Sequence, residues 1–506
     1  MGAGYIWITI LNTTGCKPAV RTQEKSTLSS QPEHAWTRHS QPTQPATEVQ
    51  RFRSRPDLSP PVVEVSTRAH DTAPGYIFVA PKMGGPGQGG SMILDDRGQP
   101  VWFRPMTGAH LRAMDFKVQK YRGRSVLTWG ESRVVDGHRF NEYVILDSFY
   151  RELTRVRAGN GYQGDHHEFL ITPQNTALLT IYHRVPMDLS SVGGQKDGAV
   201  VDGIAQEVDI ETGEVLFEWH SLEHVDLDES YLEPGKGPRK HFDYFHINSI
   251  DIDHDDNLLV SARNTSTVYK VDRKSGEVMW RLGGKKSDFA MGPGTRTAYQ
   301  HDARRQKDGT ITIFDNGTTI FDNGPPKAVE ESRGIVLELD MDKMTASLLH
   351  RYTHPGKQYA DAAGNMQMLP NGNVLVGWGR AMVFSEFSSE GELLFSASLP
   401  PKNLSYRVFR FPWSGRPRDQ PAVALEARSS EDEVTVYASW NGATEVTSWQ
   451  VLAGPSPNRL KPVSSAPRSG FETAIAVRTS EPYIGVRAKD RSGRVLGTAK
   501  AVESRK

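Results

Sequence analysis

The sequence predicts an all-β protein, with a six-bladed β-propeller followed by a C-terminal β-sandwich of the fibronectin-III or immunoglobulin type. Three observations predict this fold. A strand–turn–strand unit recurs six times, helical periodicity is almost absent, and about 90 residues of short alternating strands follow the last repeat. A chain of 506 residues is also long enough to require more than one structural unit.

The repeat is marked by a turn that contains Asp, polar residues and Gly, followed by an apolar or aromatic strand. Six copies have this pattern, and they start at Asp95, Asp147, Asp209, Asp272, Asp340 and Ser388. Consecutive copies lie 48 to 68 residues apart, a spacing typical of one four-stranded blade with variable loops. A second strand pair precedes most of these turns, for example at residues 249–260 and 367–376. Each unit therefore supplies about four strands.

The chain divides into four segments. We expect the propeller at residues 66–413 and the sandwich at residues 414–506, because the strand pattern changes after Pro417. Residues 21–65 are rich in Gln, Pro, Ser and Thr, and they contain too few large apolar residues to offset the entropy of ordering. We therefore expect them to form a disordered linker. Residues 1–20 form a segment that resembles a signal.

This first segment contains an apolar run from Tyr5 to Leu11, followed by Thr-Thr-Gly before Cys16. A small residue directly before a cysteine resembles the lipobox of a bacterial lipoprotein signal, in which the cysteine is acylated. The sequence therefore predicts an extracytoplasmic protein, secreted or at the cell surface, with Cys16 as a point of membrane attachment.

The overall charge and the cysteine count exclude several classes of function. Lys and Arg together number 60, as do Asp and Glu, so the chain lacks the basic surplus that nucleic-acid binding requires. Cys16 is the only cysteine. An internal disulfide framework and a multi-cysteine zinc site are therefore excluded.

Histidines occupy the same position in three successive repeats, just before the first strand of each unit. They are His167 with its neighbour His166, then His246, then His301. Because the innermost strands of a propeller line its channel, these imidazoles should converge on one axis. Arg263 follows the strand at residues 258–262 and would add a permanent cation. This arrangement predicts an anion site with a nucleophile.

Several alternatives remain open at this point. Three histidines near acidic residues can also bind zinc or iron. The fixed positive charge of Arg263 opposes a metal ion at this place. We therefore expect neither a metal nor a cofactor. The Gly-Glu-Val-x-Trp pattern at residues 276–280 suggests a quinoprotein-type redox propeller. A non-catalytic surface binding protein and a metal-dependent hydrolase or lactonase are further alternatives, because propellers host many functions.

The segments HHE, HINSID, SAR and QHDA occur in this order within the six repeats. Together they resemble the bacterial aryl sulfotransferases that work without the nucleotide sulfate donor (PAPS), over about residues 70–400. The resemblance implies that His301, in QHDA, becomes transiently sulfated, and that His167, His246 and Arg263 hold the sulfuryl oxygens. It also implies small phenolic sulfate donors and phenolic acceptors.

The resemblance matches one residue of the His166–His167 pair. We favour His167, because its neighbour Glu168 parallels the Asp that follows His301. His166, Asn248 and Asn316 are candidate substrate contacts. Asn248 either orients a ring or forms a turn, and Asn316 lies in the first of two Phe-Asp-Asn-Gly turns, at residues 314–317 and 321–324.

The chemistry agrees with this assignment. A neutral imidazole with a pKa near ~6.5 is a competent nucleophile at neutral pH, and a phenolate with a pKa near ~10 is a tolerable leaving group. Transfer in two displacements through a histidine therefore needs no nucleotide.

Overall fold

The computed structural model describes residues 48–82, 84–106, 112–135, 138–235, 241–317, 331–427 and 432–504. The predicted signal segment with Cys16, most of the predicted linker and the second Phe-Asp-Asn-Gly turn lie outside these residues. 

The described chain consists of β-strands joined by turns and loops, which confirms the prediction of an all-β protein. In the described ranges the helical elements are one α-helical turn and three short 3-10 turns, at Ser221–His224, Ser190–Val192, Leu227–Glu229 and Gly379–Ala381. None of these segments has the length and apolar character needed to cross a membrane.

Residues 64–411 form six mainly antiparallel sheets. The strand named first in each sheet is called its first strand, and the others follow in their hydrogen-bonded order. Sheet 1 contains Phe409–Phe411, Tyr76–Val79, Gly90–Leu94 and Pro100–Pro105. Sheet 2 contains Arg112–Tyr121, Arg124–Val135, His138–Leu146 and Glu152–Val156. Sheet 3 contains Gly164–Ile171, Thr176–Met187, Gly198–Asp209 and Val215–His220. Sheet 4 contains Ile247–Ile252, Leu258–Ala262, Thr267–Val271 and Val278–Gly283. Sheet 5 contains His301–Arg305, Ile311–Asp315, Arg333–Asp340, Thr345–Tyr352 and Ala290–Met291. Sheet 6 contains Asn365–Met368, Val374–Gly377, Val383–Phe387, Leu393–Ser398 and Glu64–Thr67.

Buried side chains join each sheet to the next. Six hydrophobic clusters each combine residues of two consecutive sheets, represented by the pairs Ile93 and Leu127, Ile145 and Leu179, Leu178 and Val260, Leu259 and Ile313, Val336 and Val376, and Phe395 and Met92. The last pair joins sheet 6 to sheet 1. The Asn365 amide reinforces this junction, because it donates to the Val408 carbonyl (2.8 Å) and accepts from the Val408 N–H (2.9 Å). The hydrophobic packing therefore returns to the sheet where it began.

The repeated Asp turn has a direct structural explanation. In five copies the Asp carboxylate accepts the backbone N–H two residues further on, at 2.9 to 3.1 Å, and these residues are Asp95, Asp147, Asp209, Asp272 and Asp340. In the sixth copy the Ser388 hydroxyl accepts the N–H of Glu392 at 3.2 Å. Each side chain satisfies the backbone of the turn between two antiparallel strands, which explains why these residue types recur.

Residues 422–503 form two further sheets that share one core. Sheet 7 contains Ala422–Ala427, Glu433–Ser439 and Glu472–Arg478. Sheet 8 contains Lys461–Pro467, Ser448–Gly454, Tyr483–Lys489 and Val495–Thr498, with Val502–Glu503 also paired to Tyr483–Lys489. Val436 and Val477 of sheet 7 pack against Trp449 and Val486 of sheet 8. Alternate residues of Glu472–Arg478 are buried, as expected for a strand with one face on a core.

The last part of the predicted linker is packed against the rest of the protein. Leu58 and Val63 are buried in the cluster that joins sheets 6 and 1. The Phe52 ring lies 4.3 Å from the Phe471 ring, between centroids, and Ser54 is hydrogen-bonded to Glu472. Apolar residues from Phe52 onward thus supply buried surface. This part of the predicted linker is packed against the sheets and is not a disordered segment.

Tyr150, in the turn after the third strand of sheet 2, joins this sheet to the C-terminal sheets. Its ring stacks on Trp102 with 4.9 Å between centroids, and its hydroxyl donates to the Gly442 carbonyl at 2.8 Å. Trp413 Nε1 donates to the same hydroxyl at 3.1 Å. One side chain therefore contacts sheet 1, the connecting segment and the C-terminal unit.

We predict that Tyr150→Ala destabilises the protein by about 3 kcal/mol, at the low end of the cost of removing a large aromatic side chain, because Tyr150 is partly buried. The measurement is the free energy of unfolding in denaturant. Tyr359→Ala is the matched control, because Tyr359 is 42% exposed and should cost little. Equal effects of the two substitutions would contradict the role of Tyr150 at this junction.

Candidate active site

His301 is the first residue of the first strand of sheet 5, and it is 2% exposed. Its Nδ1 lies 2.7 Å from Asn316 Oδ1 and 3.1 Å from the Tyr299 carbonyl oxygen. Because both of these atoms are acceptors, Nδ1 must carry the ring proton. The lone pair of the neutral ring therefore lies on Nε2, which accepts the Ala363 N–H over 3.2 Å.

Asn316 is held in the orientation that this arrangement requires. Its Nδ2 donates to the carbonyls of Ala360 (2.8 Å) and Ala363 (3.0 Å), so its Oδ1 must face the His301 ring. Burial lowers the pKa of His301 well below its ordinary value, and the positive charge of Arg263 lowers it further. The ring is thus neutral at physiological pH, with one nitrogen able to act as a nucleophile.

His167 and His246 form a second pair of rings, with 5.1 Å between centroids. His167 Nδ1 makes a short hydrogen bond to Asp165, and His246 Nδ1 lies 2.6 Å from Asp243 Oδ2. Burial lowers the pKa of His246 and outweighs the opposing effect of Asp243. Each carboxylate fixes the orientation of its ring and leaves Nε2 as the other polar atom, as in other His–carboxylate pairs.

Two tyrosines surround these rings. The Tyr406 ring lies between His167 and His301, at centroid distances of 5.3 and 6.2 Å, and Tyr182 lies 5.2 Å from both His167 and His246. The Tyr182 hydroxyl donates to the Ile247 carbonyl at 2.6 Å, and the Tyr406 hydroxyl donates to the Asn248 carbonyl at 3.3 Å, so both rings are fixed beside the histidines.

Arg263 extends from the end of the second strand of sheet 4. Its backbone N–H donates to the His246 carbonyl at 3.0 Å, which ties the two residues together. The guanidinium carbon lies 4.3 Å from the centroid of the Tyr299 ring, and the guanidinium donates to Asn264 Oδ1 at 2.8 Å and to the Asp361 carbonyl at 3.2 Å. A charge that makes no carboxylate ion pair among the described residues is well suited to bind an anion.

An irregular strand start recurs throughout this site. The first strands of sheets 2, 3, 4 and 5 each lose regular register within a few residues of the site. Five non-glycine residues here have positive φ, between 54° and 63°: Asp115, His246, Tyr299, Asp302 and Ala363. Such conformations cost of order 1–3 kcal/mol each and are concentrated at functional sites. Bulges also redirect side chains next to active sites.

The structure brings together His167, His246, Arg263 and His301, four of the seven predicted residues. It places Asn316 in contact with His301, whereas His166 and Asn248 contact other groups. His166 packs against the Tyr143 ring and Gly130 of sheet 2, because the irregular strand turns it away from the His167 side. Asn316 is fully buried behind His301, and Asn248, also fully buried, donates to the Gln300 carbonyl at 2.7 Å. Asn316 and Asn248 thus hold neighbouring groups in place through these hydrogen bonds, and contact of the three side chains with a substrate stays a prediction.

Further cations lie near this cluster. Lys82 is close to Asp165 and to the cations Arg112 and Arg380, and burial lowers the pKa of its ammonium to about 8. Arg380 is mostly exposed and lies 3.3 Å from Asp361. No group of three or more His, Cys, Asp or Glu side chains in the described ranges is placed to hold a metal ion.

Three of the solved structures similar to this chain have TM-scores below 0.5. A protein of unknown function from Bacteroides caccae is 14% identical, with 66% of this chain and 98% of that chain covered and a TM-score of 0.39. Virginiamycin B lyase from Staphylococcus aureus is 8% identical, with 74% and 94% covered and a TM-score of 0.30. A GH43 protein from Bacillus licheniformis is 8% identical, with 78% and 89% covered and a TM-score of 0.29.

No protein of curated function matches the sequence. The model of the family described as arylsulfotransferase (ASST) matches residues 117–399, which is more than half of the chain. The match includes His167, His246, Arg263 and His301, and it confirms the resemblance found in the sequence. The chain belongs to the arylsulfotransferase (ASST) family.

Proposed function

We propose that the protein transfers a sulfuryl group from a phenolic sulfate ester to a phenol through a covalent intermediate on His301, without a nucleotide donor. The observation that carries this proposal is the His301–Asn316 hydrogen bond, which places the ring proton on Nδ1 and the lone pair on Nε2. Family membership supports aryl sulfotransferase activity and implies phenolic substrates in general.

We also propose that sheets 1–6 are the blades of a six-bladed β-propeller at residues 66–413. The six clusters that join consecutive sheets, with the return from sheet 6 to sheet 1, support this architecture. Sheets 7 and 8, within residues 414–506, would form the β-sandwich of fibronectin-III or immunoglobulin type. The first strands of the six sheets would then line the channel.

In the first step Nε2 of His301 attacks sulfur. The N–S bond forms as the S–O bond to the aryl group breaks, and a phenolate leaves. Sulfuryl transfer places charge on the three non-bridging oxygens, as phosphoryl transfer does. Arg263 would stabilise that charge, and Nε2 of His167 or His246 would do so wherever that ring carries a proton on both nitrogens. The Ala363 N–H, released from Nε2, becomes available as a further donor to an oxygen.

In the second step an acceptor phenol attacks the same sulfur and loses its proton to a base at the site. The N–S bond breaks and neutral His301 is regenerated. Asn316 Oδ1 accepts from Nδ1 throughout, and it stabilises the positive charge of the sulfated ring. The aromatic faces of Tyr182 and Tyr406 would pack against the phenolic rings.

Aryl sulfates are anions, and the cations near the cluster agree with such a donor. Arg263, Lys82, Arg112 and Arg380 contribute positive charge near the histidines. A concentration of one charge sign near a cleft raises the rate of association with ligands of opposite charge. We propose further that the protein works outside the cytoplasm, with Cys16 as its site of lipid attachment, on the lipobox-like sequence before that residue.

We predict that His301→Ala abolishes transfer from 4-nitrophenyl sulfate to phenol, with a loss of at least about 10³-fold in kcat. The assay follows both released nitrophenol and newly formed phenyl sulfate. His254→Ala, at an exposed histidine in a turn after the first strand of sheet 4, is the matched control and should keep full activity. Transfer that persists in a folded His301→Ala protein would overturn the proposal. Donor binding without turnover in the wild type would favour a binding protein.

We predict that Arg263→Gln moves the acid limb of the pH–rate profile upward. His301 must be neutral to attack, and burial together with Arg263 holds its pKa well below the ordinary value. Loss of this cation raises the His301 pKa, so activity at about pH 5 should fall more than activity at about pH 8. Arg380→Gln removes an exposed cation and should leave the limb in place. An unshifted limb in Arg263→Gln would contradict the predicted coupling.

A further inference from the structure

Six charged side chains form a buried network next to the histidine cluster. We call this set the ion network, and it consists of Asp115, Lys117, Glu168, Asp302, Arg304 and Arg407. Glu168 is at its centre and contacts all three cations: Lys117 Nζ at 2.7 Å, Arg407 Nη1 at 3.1 Å, and Arg304 through a short ion pair. Three positive and three negative charges therefore balance.

The remaining contacts complete the pairing. Lys117 Nζ and Arg407 Nη1 lie 2.7 and 2.9 Å from the two oxygens of Asp115. Arg304 and Arg407 both contact one oxygen of Asp302, at 2.7 and 3.2 Å. Burial opposes the charges, but the facing groups lower the pKa of Glu168 and raise that of Arg407. Glu168, Arg304 and Arg407 thus stay ionised because they are paired.

Three members directly follow a residue of the histidine cluster in the sequence. Glu168 follows His167, Asp302 follows His301, and Arg407 follows Tyr406. The irregular strand starts allow two consecutive side chains to face one region, where regular alternation would send them to opposite faces. The ion network therefore lies directly beside the rings of the site.

A cavity of about 700 Å³ lies on the other side of the ion network. Lys117, Asp302 and Arg304 line this cavity, together with residues at the far ends of the first strands, such as Ile171 and Met368. Lys120, also in its lining, is exposed to solvent. These three charged residues thus belong both to the wall of the cavity and to the ion network.

Charged groups suit this position because the strand starts leave backbone carbonyls unpaired. Arg407 Nη2 donates to the Asn248 carbonyl at 2.9 Å, and Arg304 Nη1 donates to the Ile250 carbonyl at 2.8 Å. Apolar side chains would remove the Arg407 and Arg304 donors from these buried carbonyls, at a cost for each lost hydrogen bond. The ion network therefore fills the region beside the histidine cluster and also donates hydrogen bonds to these backbone carbonyls.

We propose that the ion network seals the site against water from the cavity and so determines how much sulfuryl group is transferred and how much is hydrolysed. This inference rests on the proposed function. In the sulfated state water competes with the phenol: attack by water breaks the N–S bond and releases hydrogen sulfate and a proton, and neutral His301 is regenerated. Exclusion of water from an active site prevents this kind of side reaction.

The experiment measures three products from 4-nitrophenyl sulfate and phenol: nitrophenol, phenyl sulfate and inorganic sulfate. The Arg304→Ala protein lacks the side chain between the cavity and Glu168, and Lys117→Met is a second variant that removes a cation at the cavity side. We expect the ratio of inorganic sulfate to phenyl sulfate to rise about tenfold, which corresponds to a 1.4 kcal/mol change in relative barriers.

Arg305→Ala is the matched control. Arg305 is the next residue of the same strand, but it pairs with Asp253 at 2.8 Å, outside the ion network. Both products arise from one intermediate, so a loss of folded or active protein lowers their rates together and leaves the ratio unchanged. An unchanged ratio in folded Arg304→Ala and Lys117→Met proteins would overturn the inference. A wild type that forms neither product would instead overturn the proposed function.

Discussion

The site depends on the loss of regular register at the starts of the first strands of sheets 2–5. A regular strand would send consecutive side chains to opposite faces. His301 could then not lie in the histidine cluster while Asp302 lies in the adjacent ion network. Because the strand start is irregular, one short segment places an imidazole in the histidine cluster and a charged side chain in the ion network. Its cost is backbone strain, as at His246 and Asp302 with positive φ. The surrounding hydrophobic clusters between sheets must offset that strain.

Hydrogen bonding then distinguishes the three histidines. His301 faces an amide, whereas His167 and His246 face carboxylates. An amide oxygen fixes the tautomer without adding a negative charge, so the buried ring stays neutral and nucleophilic. At His246 the carboxylate of Asp243 opposes the effect of burial on the pKa, so a second proton on this ring costs less than it would without Asp243. The same residue type thus serves two chemical roles through its partner.

The sequence predicted much of this because its signals are local or repeated. The Asp turns are local, so the repeats were visible, and the shared position of His167, His246 and His301 indicated that they would meet. Asp243, three residues before His246, was visible as a carboxylate but not as its partner. Tyr406 could not be placed, because its contacts depend on the pairing of the two ends of the chain in sheet 1. The side to which His166 turns depends on a bulge that no sequence pattern specifies.

His301 is the residue that we propose to carry the sulfuryl group. To test this directly, the protein is mixed with an aryl sulfate that is radiolabelled on sulfur, in the absence of an acceptor. The reaction is quenched at alkaline pH, and the label is located after proteolysis. If His301 carries the sulfuryl group, the label appears on the peptide that contains His301 and is released as aryl sulfate when phenol is added before the quench. Label on any other residue, or turnover without labelled protein, would contradict it.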